Sequence, residues 1–288
     1  MPIVFKCLDK RLIGILHKPE LKPSCNLGVL ILVGGGQYRV GSHRQFVLLA
    51  RYLADQGVSV MRFDYRGMGD SEGDQVSFEE CETDLKSAID NFHTECPELD
   101  GVVIWGLCDA ASAAAFYAHQ DSRVKGLVLL NPWVNSEDGE AKAYIKHYYL
   151  SRLLNGDMWR KIFKGRFNFK ASFEDFFYKL TLTFRRQKHT SLSSNERALF
   201  NRNIPIGDRI FKGLSNFNGR VLIILSSDDV TASQFSDLSS SCSEWKKLMK
   251  SPEISEFIIE GADHTFSSNV WKEKVELITL ECLKLIDS

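Results

Sequence analysis

No two cysteines in this chain are spaced C-x-x-C, which removes the usual zinc and dithiol motifs. The seven cysteines (Cys7, Cys25, Cys81, Cys96, Cys108, Cys242 and Cys282) are odd in number and scattered, so they form no disulfide framework of the secreted kind. There is no apolar run long enough to span a bilayer, and Met1 to Lys10 lack the apolar core of a signal peptide. A cytoplasmic protein with no stable membrane insertion is expected. Charge of one sign is not in excess either. With 36 Lys and Arg against 37 Asp and Glu, the net charge of −1 argues against nucleic acid as a general partner. No internal repeat or low-complexity tract occurs. The 44% hydrophobic and 25% charged content of the 288 residues belongs to an ordinary globular protein, either one large α/β domain or a domain with an insertion.

Read in order, the chain alternates strands and helices. Residues 3–7 and 11–17 suit an opening β-hairpin. Leu27 to Val33 is a nearly continuous apolar run, as expected of a strand buried on both faces of a mostly parallel sheet. It runs into Gly34-Gly35-Gly36-Gln37. Ser42 is positioned to cap a helix over 43–56, in which Phe46, Leu49, Ala50 and Leu53 fall at helical spacing. A strand over 58–63 leads into Asp64-Tyr-Arg-Gly-Met-Gly-Asp-Ser71. Ser77 and Glu80 then form a capping-box pair for a helix over 78–93. Further strands are expected over 102–105, 124–130, 221–225 and 254–259, with helices over 236–249 and 270–286. This βαβ repetition implies a doubly wound, mostly parallel sheet with right-handed crossovers.

Chemistry concentrates after the strand ends. In Gly106-Leu-Cys108-Asp-Ala110, a strand meets an alanine-rich helix at a sharp turn with one reactive side chain at its apex. The spacing is that of a nucleophile elbow, G-x-S-x-G, with cysteine for serine and alanine for the last glycine. The bland reading is a buried thiol packed among small residues. Against it stand Asp229, after the strand over 221–225, and His264, after the strand over 254–259. Side chains just beyond the C-terminal strand ends of an open sheet converge on one crevice. Cys108 would attack a carbonyl, His264 would move protons, and Asp229 would orient the imidazole, with Asp228 as the competing acid. The other histidines lie on the first hairpin, on helices or in the 136–215 stretch, and Asp263 is read as holding its own turn. Backbone N–H groups of Asp109 and of the turn at Gly36 and Gln37 would receive the oxyanion. The Asp109 carboxylate is expected to pair with an arginine, such as Arg39 or Arg66, or to face solvent. No metal and no cofactor are expected.

From 136 to 215 the alternation breaks into a helical, aromatic-rich stretch. Between Ala141 and Lys212, sixteen Lys or Arg face five Asp or Glu, a local +11 that leaves −12 for the rest. This stretch is expected to be a cap inserted into a core of 1–135 and 216–288. Its basic residues, Arg185 and Arg186 among them, would draw anionic ligands, and its aromatics would suit an acyl chain or a sugar face. The bland alternative is a solvated helical excursion.

Together, Asp64-x-Arg66-Gly67-x-Gly69-x-Ser71, the glycine turn, the elbow and Gly261-x-Asp263-His264 resemble the α/β-hydrolase superfamily. The stretches G-L-C-D-A-A-S and L-S-S-D-D-V-T-A are similar to those of the exosortase-A-system-associated hydrolases of the first type. The resemblance implies a cytoplasmic hydrolase or acyltransferase tied to bacterial exopolysaccharide production. Three functions follow as expectations. The first is hydrolysis of a small-molecule ester or thioester, free or carrier-bound, through an acyl-cysteine. The second is acyl transfer to a saccharide, and the third is a non-catalytic binding role. The oligomeric state stays open.

Overall fold

The computed structural model describes residues 1–20, 25–134 and 204–287. By its internal contacts the chain divides into two units, Met1–Val134 with Ile206–Ser288, and Asn135–Pro205. The second unit, with Arg185, Arg186 and nearly all of the expected cap, lies outside the described residues apart from its last two positions.

The first unit is built on eight strands: β1 Pro2–Cys7, β2 Lys10–His17, β3 Leu27–Leu32, β4 Val60–Phe63, β5 Gly101–Leu107, β6 Val124–Leu130, β7 Arg220–Ser226 and β8 Ile254–Ile259. They lie in the order β1-β2-β4-β3-β5-β6-β7-β8. β1, β2 and β4 pair antiparallel, and β4 through β8 run parallel. The apolar runs have the physical cause expected of them. Leu30 and Leu32 of β3 enter one core layer, while Leu27, Val29 and Ile31 enter the other. Alternate side chains of a strand point to opposite faces, so a sheet covered on both sides needs apolar residues at every position.

Among the described residues seven α-helices cover the sheet: α1 Gln45–Asp55, α2 Glu82–Glu95, α3 Asp109–Tyr117, α4 Ile206–Asn216, α5 Val230–Ser239, α6 Ser243–Met249 and α7 Asn269–Asp287. The apolar stripe of α1 packs with α7 on one face, and α2, α3 and α4 supply the other. No helix among the described residues is long and apolar enough to cross a membrane.

Three local expectations change. Ser42 does not cap α1. It opens a short 3-10 turn, His43 and Arg44 take left-handed backbone (φ 52° and 60°), and Arg44 occupies the cap position with no side-chain bond. Ser77 and Glu80 do not start a helix. The Ser77 carbonyl accepts the Glu80 N–H in an isolated turn, and α2 begins at Glu82. There the buried Asp84 side chain is tied to Arg66, so tertiary pairing sets the helix start. Finally, the stretch over 206–215, placed by sequence inside the insertion, is helical and belongs to the core unit. Ile210 and Leu214 are buried, and α4 approaches α3 so closely that a Cβ on Gly213 would lie 2.0 Å from the Ala115 carbonyl oxygen. The core therefore resumes at Ile206.

Candidate active site

The order of the strands decides what can meet. Moving outward from β3, the chain goes to β4 on one side and to β5 on the other, so the sheet has its switch point between β3 and β5. Ligands of such sheets bind outside the carboxyl ends of strands at that point. Leu32 of β3 pairs with Gly106 of β5, which brings the glycine turn beside the elbow.

Cys108 follows the fully buried β5 and takes φ 63°, ψ −124° at the head of α3. A non-glycine residue holds such a backbone only where its surroundings over-determine it. Here the Cys108 N–H donates to the Leu130 carbonyl at 2.8 Å, and the Cys108 carbonyl accepts from Ala111, Ser112 and Trp133 N–H groups. The Ser112 hydroxyl also donates to the Trp133 carbonyl at 2.6 Å. Helix and strand cross so tightly that a Cβ on Gly106 would sit 2.7 Å from the Ala110 backbone. Glycine is required there, and the alanine at 110 is accommodated. Of the cysteines, Cys7, Cys25, Cys81 and Cys96 are buried, whereas Cys108 is partly open to solvent.

His264 Nδ1 lies 3.0 Å from Asp229 Oδ2. Asp229 also caps α5, accepting the Ala232 N–H at 2.9 Å, so its carboxylate is held in one orientation. Asp228 faces solvent, and its backbone N–H donates to the Ala262 carbonyl. The pKa of His264 is raised to about 10, first by its hydrogen bond to Asp229 and next by its interaction with Cys108, against the opposing effect of burial. Cys108, Asp229 and His264 are thus brought into one constellation. The Asp229 carboxylate favours the charged form of the His264 ring.

What positions this constellation includes residues that sequence patterning left without a role. Asn131, fully buried at the end of β6, donates through Nδ2 to the His264 carbonyl (3.0 Å) and to Ser226 Oγ (2.9 Å), and its Oδ1 accepts the Ser226 N–H (2.8 Å). Ser226 Oγ in turn donates to the Asp263 carbonyl at 2.8 Å, and Gly261 N–H donates to Ser227 Oγ at 2.7 Å. The loop carrying His264 is therefore laced to the turn carrying Asp229 and to β6. Its only trace in sequence was an Asn-Pro pair ending a strand and two serines before the aspartates. Asp263 accepts the Thr265 and Ser267 N–H groups and so closes its own turn.

In the glycine turn expected to receive an oxyanion, the N–H groups are engaged differently. Gln37 N–H is turned back onto the Gly34 carbonyl at 3.3 Å, and its side-chain oxygen accepts the Ser42 N–H. Gly35 N–H goes to the Asp109 carboxylate at 2.8 Å. Gly36 N–H is engaged by no partner among the described residues, which leaves it as the turn's available donor. The Asp109 carboxylate meets neither arginine. Arg39 is paired with Asp64 and Asp70, and Arg66 with Asp84. The Arg39–Asp64 pair is itself a support. Asp64 has no exposed surface, takes the Arg39 N–H at 2.6 Å, and anchors the end of the glycine turn to the loop after β4.

A family model described as serine aminopeptidase, S33, matches residues 26–165, just under half of the chain. That stretch holds the glycine turn and the elbow but neither Asp229 nor His264, and it carries cysteine at the apex. No curated protein sequence matches the chain. Among solved structures, the esterase Pf2001 of Pyrococcus furiosus superposes with a TM-score of 0.66 at 14% identity, over 100% of this chain and 93% of that one. An α/β serine hydrolase homologue from Coxiella burnetii gives 0.59 at 13% identity, over 98% and 96%. Est1E of Butyrivibrio proteoclasticus, with ferulic acid bound, gives 0.61 at 15% identity, over 98% and 99%. The chain has the α/β-hydrolase fold.

Proposed function

We propose that this chain hydrolyses esters or thioesters through an acyl-cysteine formed on Cys108. The observation that carries the reading is the coupling of three residues: Asp229 on His264 Nδ1, and Cys108 as the second cause of the raised His264 pKa. The thiolate sulfur attacks the carbonyl carbon and the carbonyl oxygen becomes an oxyanion, met by the Gly36 and Asp109 N–H groups. Collapse breaks the bond to the alkoxide or thiolate leaving group, which takes a proton from His264 Nε2. The neutral imidazole then removes a proton from water as it attacks the acyl-cysteine. Breakdown of the second tetrahedral intermediate releases the acid and restores the thiolate and imidazolium. Asp229 stabilises the imidazolium without itself taking the proton.

Activated acyl groups suit a thiolate best, so the substrate class is small acyl esters or thioesters, free or carrier-bound. The basic content of 136–215 supports an anionic donor. The G-L-C-D-A-A-S and L-S-S-D-D-V-T-A stretches support a cytoplasmic role beside exopolysaccharide production.

Intact-protein mass spectrometry after exposure to a panel of acyl esters and thioesters tests this. The expected result is one acyl mass on the wild type, absent in Cys108→Ala and lost again in water. Faster loss on adding a saccharide would instead mean acyl transfer. No adduct, together with no iodoacetamide labelling of Cys108 at neutral pH, would leave a binding role.

A further inference from the structure

We infer that Asp109 is a positioning residue for the oxyanion site: its carboxylate is the brace that sets the gap between the two backbone donors. This rests on the acyl-cysteine reading above. One carboxylate oxygen accepts the Gly35 N–H at 2.8 Å, and the other accepts the Ala110 N–H at 2.9 Å. The two arms joined in this way also carry the donors, since Gly36 follows Gly35 in the turn and the second donor is Asp109's own N–H. A slip of either arm would change the distance between donors that must both reach one oxygen, and such donors work only within a few tenths of an ångström of their place.

Glycine at 34 belongs to the same device. A Cβ there would lie 2.0 Å from Asp109 Oδ1 and 2.9 Å from the Leu107 carbonyl oxygen, so the turn can press onto the carboxylate only without a side chain. The chemistry of the brace fits its place. Burial pushes the Asp109 pKa up, while the Gly35 and Ala110 N–H groups, Asp109's own N–H and then nearby His264 hold it down. The carboxylate is satisfied by neutral backbone donors, and the neighbouring arginines are committed elsewhere. An arginine drawn to this position would compete with the backbone donors for the oxyanion.

Two reactions of Cys108 separate the brace from a general structural role. Alkylation by iodoacetamide is displacement at a saturated carbon and forms no oxyanion, whereas acylation by p-nitrophenyl acetate does. Asp109→Ala should slow acylation about 10- to 100-fold while alkylation stays within twofold, because losing one aligned donor costs on the order of a hundredfold. Asp109→Asn keeps one acceptor, its amide oxygen for the Gly35 N–H, while its NH2 cannot accept from Ala110, so its acylation rate should fall between those of wild type and Asp109→Ala. Amide hydrogen exchange across residues 33–37 should rise in Asp109→Ala, and rise less in Asp109→Asn, which can still accept the Gly35 N–H.

Unchanged acylation and exchange in Asp109→Ala would overturn the inference, and so would parallel losses of acylation and alkylation. If Asp109→Ala does not fold, Asp109→Glu replaces it. The extra methylene pushes the turn away, so slow acylation is expected, and wild-type rates would refute the brace. If the wild type alkylates but never acylates, the functional reading fails, and hydrogen exchange still decides whether Asp109 holds the turn.

Discussion

Replacing Asn131 with glycine isolates the lacing that holds the His264 loop. Glycine is the informative substitution because Asn131 has φ 43°, a left-handed backbone that alanine would strain. The change removes three hydrogen bonds, of 2.8, 2.9 and 3.0 Å. Ser226 Oγ keeps its bond to the Asp263 carbonyl, so the two groups left without their partner are the Ser226 N–H and the His264 carbonyl. Each orphaned buried group costs about 1–3 kcal/mol. Water entering the space left by the side chain favours the lower half of the summed range, about 2–4 kcal/mol. For a domain of this size that corresponds to a fall in Tm of about 4–16 °C. The consequence for chemistry is separate and larger, because His264 loses the tie that brings its loop back over β7 to β6. Turnover of a neutral short-chain ester should fall more than about tenfold, as misplacing a reacting group by an ångström can cost a hundredfold. Thermal unfolding and steady-state kinetics on the same preparation make the measurement. A Tm within 2 °C of wild type, together with unchanged kcat, would refute the assigned role of Asn131.

Asp229→Asn keeps an acceptor for the Ala232 N–H but removes the leading cause of the raised His264 pKa. The alkaline limb of ester turnover should move from about 10 toward the ordinary 6.5, with kcat at neutral pH falling by up to about 10⁴-fold. Stability follows the same sign in a pH series of melts. The contribution of His264 is complete below about 6.5 and is lost as pH rises through about 10, and it should shrink in the variant. Arg39→Met leaves the unexposed Asp64 without its guanidinium. Breaking such a pair costs about 3–5 kcal/mol, the lower end being expected because the Arg39 and Asp70 N–H groups still bond the carboxylate, and the midpoint of urea unfolding reads it. Reversing the charge of Arg185 and Arg186 should raise KM for an anionic acyl donor and leave a neutral ester unaffected. Equal effects on both substrates would mean that folding of the insertion, and not attraction of the donor, is at stake.

Much of this molecule is written locally in its sequence. The parallel strands are legible because a sheet covered on both faces asks for nearly unbroken apolar runs along β3, β5 and, apart from the exposed Lys125, β6. The elbow is legible because a strand, a strained apex and a close-packed helix need Gly106, Cys108 and small residues at fixed spacing. The chain order of Cys108, Asp229 and His264 follows from which strand ends carry reactive side chains. The starts of α1 and α2 were misplaced for a local reason of the opposite kind. Ser42 and Ser77 have capping chemistry, but left-handed backbone at His43 and Arg44 and the Asp84–Arg66 pair decide where the helices begin.

The finer arrangement of the site belongs to tertiary structure. Asn131 meets Ser226 across 95 residues and His264 across 133, and only the strand order β6-β7-β8 makes those partners neighbours. The glycine turn offered several N–H groups that residue type could not tell apart. Once β3 lies beside β5, the Gly34 carbonyl takes Gln37 and the Asp109 carboxylate takes Gly35, and Gly36 N–H is left without a partner among the described residues. Residue types and spacing carried the candidate reactive groups of this protein. The directions of their hydrogen bonds had to wait for the fold, because each depends on an atom supplied by another strand.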